Sequence, residues 1–204
     1  MKSILYNQIK TEPSKIVCIG RNYVEHIKEL GNEIPENMVV FNKPNSAISD
    51  TLHYFTEHTR FEGEICFLIE NGSIVGVGFG LDLTHADMQN KLKTKGLPWE
   101  RAKAFYGSAV LSGFVPFSGD KCQLHMKLTI NGELVQFANY DLMMYKPDVM
   151  VEEIKTFMTL EDGDIIMSGT PKGVATYSVG DRFVGQVFEG DSLLVEGEWL
   201  VHEK

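Results

Sequence analysis

Two Asn-Gly dipeptides, each flanked by strand-like sequence, limit the folds that this chain can adopt. Asn71-Gly72 separates EICFLIE from the glycine-rich run SIVGVGFGLDL, and Asn131-Gly132 separates CQLHMKLTI from ELVQFANY. Asn-Gly in this setting is the strongest short-range signal for a two-residue β-hairpin. The sequence therefore predicts two antiparallel hairpins. Alternate glycines in the second strand of the first hairpin, at Gly76, Gly78 and Gly80, predict close approach of another backbone segment or β-bulges.

Weaker patterns along the rest of the chain add further elements. Short apolar runs at residues 15–19 and 38–41 predict buried strands, and more strand patterns follow residue 163. About three helices are expected, at residues 22–30, 84–95 and 148–160. Because about ten strands and these helices do not alternate regularly, we predict an α+β fold. Its mostly antiparallel or mixed sheets would roll into a sandwich-like core.

The length and the second helix allow more detailed predictions. A chain of 204 residues suits one domain with a sizeable core, and we expect a single domain over residues 1–204 with an N-terminal extension at residues 1–14. In the second helix, Thr84 is the expected N-cap, with Asp87 at the capping-box position. Gly96 is the expected C-terminal stop.

Charge and cysteine content exclude several classes of protein. The chain has 28 acidic and 19 basic residues, a net charge of −9, and no basic cluster to follow a phosphate backbone, so no nucleic-acid partner is expected. Its three cysteines form no CxxC pair, which disfavours a zinc site or a disulfide framework. Without an 18-residue apolar run or a signal-peptide core, we expect a cytoplasmic protein with no membrane partner.

Three carboxylates are expected at one end of the first hairpin. Glu62 and Glu64, in FEGEI, would share one face of a strand because side chains alternate along it. Counting outward from Asn71-Gly72 places Asp82 near the same end. Clustered carboxylates repel unless a cation joins them, and an all-oxygen set suits Mg²⁺ or Mn²⁺ better than zinc. Carboxylates that simply face water are the alternative.

A histidine and a glutamate lie three residues apart in the segment GRNYVEHIKELG. On a helix, His26 and Glu29 would stack on one face. The carboxylate could then orient the imidazole as a general base. The same spacing is typical of a surface ion pair, which contributes about 0.3–0.5 kcal/mol. Spacing alone favours the ion pair.

Six motifs in a fixed order resemble those of a known family. They are GRNYVEHIKEL, FNKP, EGE, LDLTHADMQ, KGLPWERAKAF and SGTPKGV. From about Lys15 to the C-terminus, the chain resembles the fumarylacetoacetate hydrolase family, and within it the small acylpyruvate hydrolases and oxaloacetate decarboxylases. The resemblance implies the catalytic-domain fold of that family. It also implies that residues 22–36 form a mobile lid over the site.

The resemblance implies a role for both residue clusters already described. The family's metal ligands fall on Glu62, Glu64 and Asp82, which would hold Mg²⁺ or Mn²⁺. The family's H-x-x-E dyad falls on His26 and Glu29, so His26 would be the base and Glu29 would orient it. These implied roles reverse the preference for a surface ion pair.

Other motif positions imply contacts with a substrate. Lys103, in KGLPWERAK, would help to hold the negative charge that develops during catalysis. Substrate binding is implied at Arg21, Lys43, Gln89 and Thr170. One position departs from the family pattern, because Ala86 stands where T-A-R-D has an arginine that assists substrate binding. His85 is adjacent, but about 100° away around a helix, so it is not a simple substitute.

These roles imply a divalent-metal-dependent enzyme that cleaves a C–C bond of 2-oxo acids. The reaction would be hydrolysis of an acylpyruvate or fumarylpyruvate, or decarboxylation of oxaloacetate, through a metal-stabilised pyruvate enolate. An isomerase or decarboxylase of the dicarboxylic 2-oxo acids of aromatic catabolism is an alternative, which an additional Arg or Lys in the pocket would favour. A non-catalytic metabolite-binding protein is the alternative from another class. Because members of the family are commonly homodimers, we also expect a homodimer.

Overall fold

The computed structural model of the chain describes residues 1–29 and 35–204. Within that part, four helices are present: α1 (Val24–Glu29), α2 (Ala86–Thr94), α3 (Glu100–Lys103) and α4 (Pro147–Lys155). The strands are β1 (Ile4–Tyr6), β2 (Ile9–Thr11), β3 (Lys15–Gly20), β4 (Val39–Pro44), β5 (Ile48–Ser49), β6 (His53–Tyr54), β7 (Thr59–Phe61), β8 (Gly63–Glu70), β9 (Ser73–Asp82), β10 (Thr84–His85), β11 (Ala109–Leu111), β12 (Val115–Pro116), β13 (Leu124–Ile130), β14 (Glu133–Asn139), β15 (Ile165–Met167), β16 (Ala175–Thr176), β17 (Arg182–Glu189), β18 (Ser192–Leu200) and β19 (His202–Glu203).

Both predicted Asn-Gly hairpins are present. β8 and β9 pair antiparallel around Asn71 and Gly72, whose φ angles of 50° and 66° suit a tight hairpin turn. β13 and β14 form the second hairpin. In the first, the Asp82 N–H donates to the Glu62 carbonyl at 2.8 Å, and Glu64 lies opposite Gly80. The hairpin register therefore brings all three carboxylates to its open end.

Two larger sheets enclose the main core. One is an eight-stranded mixed sheet with the order β4-β3-β15-β8-β9-β11-β5 and with β12 paired to β9, and the other is an antiparallel sheet with the order β14-β13-β17-β18. Phe79 of the first sheet packs against Gly185 of the second, where a Cβ atom would lie 2.2 Å from the ring. Both residues' strands contribute to the main hydrophobic cluster. These layers confirm the predicted α+β class with mixed and antiparallel sheets.

The other face of the mixed sheet packs a second apolar cluster. The glycines of β9 make room for it, because a Cβ on Gly78 would lie 2.9 Å from the Phe114 ring and one on Gly80 would lie 2.6 Å from Cys66 Sγ. The predicted close backbone approach is present at Gly76, where a Cβ would lie 3.1 Å from the Val115 carbonyl oxygen, whereas side chains are the neighbours at Gly78 and Gly80. With both faces covered, β8 is buried almost throughout, so Glu64 reaches the site from inside the sheet.

The predicted N-cap of the second helix is wrong. α2 begins at Ala86, and Thr84 belongs to β10, which pairs with β7. The Thr84 hydroxyl donates to the Glu62 carboxylate at 2.8 Å, so a distant partner replaces the local capping bond. Asp87 consequently has no capping-box partner. The predicted C-terminal stop is confirmed, since Gly96 has a φ of 61° just after the helix.

The first helix covers only part of the predicted segment. α1 spans Val24–Glu29, whereas the predicted helix and the predicted lid both continue into residues 30–34, which lie outside the described residues. The longest helices in the described ranges have nine residues. No helix in those ranges combines the length and the apolar character that crossing a membrane requires.

Candidate active site

Glu62, Glu64 and Asp82 form a compact carboxylate cluster. One oxygen atom of each lies within 4.8 Å of the others. Glu64 and Asp82 are only 2% and 1% exposed, and Glu62 is partly buried. Because Glu62 precedes β8 and Asp82 ends β9, the hairpin itself holds the cluster together. Three hard oxygen donors in one place have the chemistry that Mg²⁺ and Mn²⁺ prefer.

Two buried lysines neutralise part of this negative charge. Lys103 Nζ lies 2.7 Å from Asp82 Oδ2 and 2.9 Å from Glu62 Oε2, and Lys43 Nζ lies 2.8 Å from Asp82 Oδ1. Burial alone would lower the pKa of Lys103, but the two carboxylates outweigh it and raise that pKa above its ordinary value. Lys103 is therefore a permanent cation at the edge of the cluster.

Glu64 is the carboxylate whose charge is least compensated. Gly169 N–H donates to its Oε2 at 2.7 Å, but no lysine forms an ion pair with it in the described part of the chain. Burial, together with the charges of Asp82 and Glu62, raises the pKa of Glu64 well above its ordinary value. A divalent cation would remove this repulsion. The donor set and its excess of negative charge therefore both fit a metal ion.

His26 lies on the wall of the cavity that contains the carboxylate cluster. Its side chain is buried, and its Nδ1 lies 3.2 Å from Glu29 Oε2. The Glu29 carboxylate also accepts a hydrogen bond from the Gly173 N–H at 3.0 Å. Burial raises the pKa of Glu62, but the nearby positive charges of Lys103 and His26 lower it below its ordinary value. His26 is thus close to the cluster and oriented by a carboxylate.

The same helix provides a direct comparison between the two interpretations of such a pair. Lys28 and Glu25 form an exposed ion pair of 2.9 Å, also with a three-residue spacing. The Lys28–Glu25 pair is the kind of surface ion pair that a three-residue spacing alone favours. In the other pair, His26 lines the cavity and Glu29 holds its Nδ1, a geometry that suits a general base held in one orientation.

Asn22, which we did not select from the sequence, fixes the chain just before α1. Its buried side-chain amide donates to the Ser168 carbonyl at 2.8 Å and accepts from the Tyr145 N–H at 2.7 Å. Its backbone carbonyl accepts from the Met144 N–H at 2.8 Å. The available signal was a polar residue two positions after the end of an apolar strand. α1 is therefore anchored on its N-terminal side and joined to the Gly173 segment through Glu29.

The rest of the cavity wall is cationic, amide-bearing and aromatic. Arg21 follows β3 with a left-handed φ of 56°, which indicates a strained backbone of the kind found at binding sites. Gln89 and Lys93 reach the cavity from α2, and Trp99 lines it nearby. The cavity is small, with a volume of about 40 Å³. Lys93 and Trp99 were not predicted, although Lys93 lies one helical turn after Gln89.

Two predicted substrate contacts are occupied by bonds within the protein. Thr170 lines the cavity, but its hydroxyl donates to the Gly63 carbonyl at 3.0 Å and accepts from Gln136 Nε2 at 2.9 Å. Lys43 is fully buried and does not line the cavity. It also donates to the Lys103 carbonyl. Lys43 therefore acts on the site through Asp82 and the backbone of α3, whereas Arg21 and Gln89 face the cavity directly.

Comparison with known proteins identifies several similar ones. A sequence model of the fumarylacetoacetate (FAA) hydrolase C-terminal family matches residues 15–201. The chain is 38% identical over 199 residues to oxaloacetate tautomerase YcgM from Escherichia coli K12, covering 88% of this chain and 90% of that protein. It is 34% identical over 185 residues to the human mitochondrial oxaloacetate tautomerase FAHD1, covering 82% and 84%. The fumarylpyruvate hydrolase of Pseudomonas aeruginosa, solved with Mn²⁺ and pyruvate, matches with a TM-score of 0.90 and 26% identity over 100% of this chain and 96% of that one.

Proposed function

Because the chain belongs to the fumarylacetoacetate hydrolase family, we propose that it is a divalent-metal-dependent enzyme of 2-oxo acids that interconverts the keto and enol forms of oxaloacetate. One observation carries this proposal. His26, held by Glu29, lines the same cavity as the three-carboxylate cluster. The relatives named oxaloacetate tautomerase favour this reaction. It was not among the reactions that we expected from the sequence, but it shares with them the need to stabilise negative charge on a 2-oxo oxygen.

The proposed reaction moves one proton and leaves every other atom in place. In the keto form, carbon 3 carries two protons and lies between the 2-oxo group and the distal carboxylate. A base removes one proton, the electron pair moves onto the 2-oxo oxygen, and that oxygen then takes up a proton to give the enol. A bound Mg²⁺ or Mn²⁺, held by Glu62, Glu64 and Asp82, would supply Lewis acidity that stabilises the charge on this oxygen.

His26 is the proposed base. Its Nδ1 faces the Glu29 carboxylate, which favours the tautomer protonated on that nitrogen and leaves Nε2 to accept the proton from carbon. Glu29 would also stabilise the imidazolium that forms. Proton transfer by a positioned histidine typically contributes a factor of about 10²–10⁴ to the rate.

Lys103 and Gln89 are the proposed donors to the substrate oxygens. An ammonium group has three N–H donors, and Asp82 and Glu62 accept two of those of Lys103. The third can stabilise negative charge on the substrate. Gln89 lines the cavity from α2 and carries an amide that can donate to a carboxylate oxygen.

Cleavage of a C–C bond, the reaction expected from the sequence, is the second candidate. The fumarylpyruvate hydrolase that matches this chain was solved with pyruvate, the product expected from such cleavage. Hydrolysis would require His26 to deprotonate a water molecule rather than carbon. Decarboxylation of oxaloacetate would not require His26 to deprotonate either water or carbon.

A three-reaction assay tests the proposal. The enol of oxaloacetate absorbs in the ultraviolet, so its decay reports tautomerisation, while a coupled assay reports pyruvate released from oxaloacetate and from acetylpyruvate. We expect faster tautomerisation than in buffer, its loss in EDTA, and its recovery with Mg²⁺ or Mn²⁺. Faster pyruvate release without faster tautomerisation would favour the second candidate. If the rates in all three assays, with either metal, equal those in buffer, the proposal that this protein is an enzyme of 2-oxo acids is refuted.

A further inference from the structure

Lys93 brings an additional cation to the cavity from α2. It lies one turn after Gln89, and both side chains line the cavity. It also lies seven residues after Ala86, which is two helical turns, so the two positions share a face of the helix. Ala86 is the position where the family motif has its arginine. The face that lacks this arginine therefore carries a positive charge two turns further along.

Among the described residues, Lys93 forms no ion pair with the carboxylate cluster. Lys43 and Lys103 are both paired with Asp82, whereas no ion pair of Lys93 is present among residues 1–29 and 35–204. Its Nζ lies 5.2 Å from the centre of the Trp99 ring, a cation–π contact that holds the side chain toward the cavity. Lys93 is thus positioned by an aromatic wall rather than by an acidic partner.

Electrostatics at Lys93 favour an anion. Burial, followed by the positive charges of Arg21 and Lys103, lowers the pKa of Lys93 to about 8, although the nearby negative charge of Glu62 opposes this shift. A partly buried cation among like charges is unfavourable on its own, and an anionic ligand would reverse that balance. The cavity therefore has a cationic side, with Arg21 and Lys93, next to the carboxylate cluster.

We propose that Lys93 binds the distal carboxylate of the substrate and so makes the pocket selective for dicarboxylic 2-oxo acids. This inference rests on the proposed function, in which the 2-oxo group lies at the carboxylate cluster. Oxaloacetate carries a second carboxylate at its far end, whereas acetylpyruvate ends in an uncharged acetyl group. An additional lysine or arginine in the pocket is the feature expected of a site for dicarboxylic 2-oxo acids, and Lys93 supplies it.

Kinetics with matched variants test this role. Lys93→Met keeps an unbranched side chain against Trp99 and removes the charge, and Lys91→Met is the control because Lys91 is exposed on the same helix and does not line the cavity. We expect Lys93→Met to raise KM for oxaloacetate about 10- to 100-fold with a smaller change in kcat, since it removes a charge-assisted hydrogen bond. KM for acetylpyruvate should stay unchanged. Equal effects on both substrates would overturn the proposal.

A binding experiment separates failure of this proposal from failure of the proposed function. Malate and 2-hydroxybutyrate both offer a 2-hydroxy acid but differ in whether the far end is a carboxylate or a methyl group. Calorimetry on the Mn²⁺-loaded protein should show preference for malate in the wild type and in Lys91→Met, and no preference in Lys93→Met. If Lys93→Met still prefers malate, or if the wild type does not, the proposal that Lys93 binds the distal carboxylate is overturned. A preference that depends on Lys93 without turnover of oxaloacetate refutes the reaction and supports the subsite. If Lys93→Met does not fold, Lys93→Gln replaces it in both experiments, because it also removes the charge.

Discussion

The Nδ1 atom of His26, a residue in the wall of the cavity, lies 3.2 Å from Oε2 of Glu29. The same carboxylate accepts hydrogen bonds from the Gly173 N–H at 3.0 and 3.2 Å. Glu29 therefore links the imidazole to the backbone of the segment that follows Thr170. Three elements distant in sequence, the hairpin end, α1 and this segment, meet around one cavity.

Replacing His26 by Ala should reduce tautomerisation of oxaloacetate by about 10²–10⁴-fold, because the proposed proton acceptor is lost. Glu29→Gln should have a smaller effect, since an amide oxygen still accepts from Gly173 and from the imidazole but carries no charge to stabilise the imidazolium. Glu25→Gln, on the exposed pair of the same helix, is the control and should retain wild-type kcat/KM. Wild-type rates in His26→Ala would remove this residue from the mechanism.

Glu64→Gln should raise the stability of the metal-free protein and abolish its response to metal. The substitution removes a buried charge that repels Asp82 and Glu62, while an amide oxygen can still accept from Gly169. In the wild type, Mn²⁺ at about 100 times its Kd should raise Tm by roughly 5–10 °C. Differential scanning calorimetry with and without Mn²⁺ checks both expectations. Glu70→Gln, at the far end of β8, should respond to Mn²⁺ like the wild type.

Lys43→Met should destabilise the protein by about 3–5 kcal/mol, because it breaks a buried ion pair and leaves one oxygen of Asp82 without its cation. Urea unfolding measures this loss. The Lys43→Met/Asp82→Asn double variant should recover part of it, since the unpaired charge is then gone as well. A changed KM with unchanged stability would instead support direct contact between Lys43 and the substrate.

Asp164→Asn should weaken the attachment of the N-terminal segment. The buried Asp164 carboxylate pairs with Lys15 and accepts from the Ser14 hydroxyl at 2.7 Å and from the Glu161 N–H at 2.9 Å. We expect a loss of about 1.5–3 kcal/mol at pH 7, the usual contribution of hydrogen bonds to a charged group.

The stability contributed by Asp164 should also depend on pH. Burial alone would raise the pKa of this carboxyl, but the hydrogen bonds from Lys15, Ser14 and backbone N–H groups outweigh it and hold the pKa below its ordinary value of 3.8. Stability is therefore fully present above pH 3.8 and is lost as the pH falls through the lower, folded-state pKa. Urea unfolding from pH 7 downward should show the wild-type advantage over Asp164→Asn shrinking only below this value. For the control variant Glu161→Gln, at an exposed position, the difference in stability from the wild type should not shrink in this way as the pH falls.

The parts of the fold that depend on local chemistry could be predicted from the sequence. Asn71-Gly72 determines the turn, the period of two determines which side chains share a face, and together they place Glu62, Glu64 and Asp82 at one end. Spacing alone could not decide which of the two ion pairs on α1 faces the cavity. That depends on the packing of the helix and on the distant Gly173 segment.

Other features depend on partners that no local pattern reveals. Thr84 has the chemistry of a helix cap, but its hydroxyl donates a hydrogen bond to Glu62, 22 residues away in the sequence. Lys43 belongs to a recognisable motif, yet only the pairing of β4 within the sheet buries it behind Asp82. Lys93 is one of several lysines on a polar helix. It differs from the exposed Lys91 in being partly buried beside Trp99 and Arg21, which other segments bring to it.

The hydrogen bonds between Gly173 and Glu29 also bear on the order of events during a catalytic cycle. Because Glu29 both orients the imidazole and fastens α1 to the segment that contains Gly173, separation of α1 from this segment would release the base from its working position. Enclosure of the substrate and readiness for proton transfer would then begin together and end together. In the proposed reaction, such a coupling would keep the substrate from losing its proton before the cavity encloses it. It would also let the product leave after the base has moved out of position.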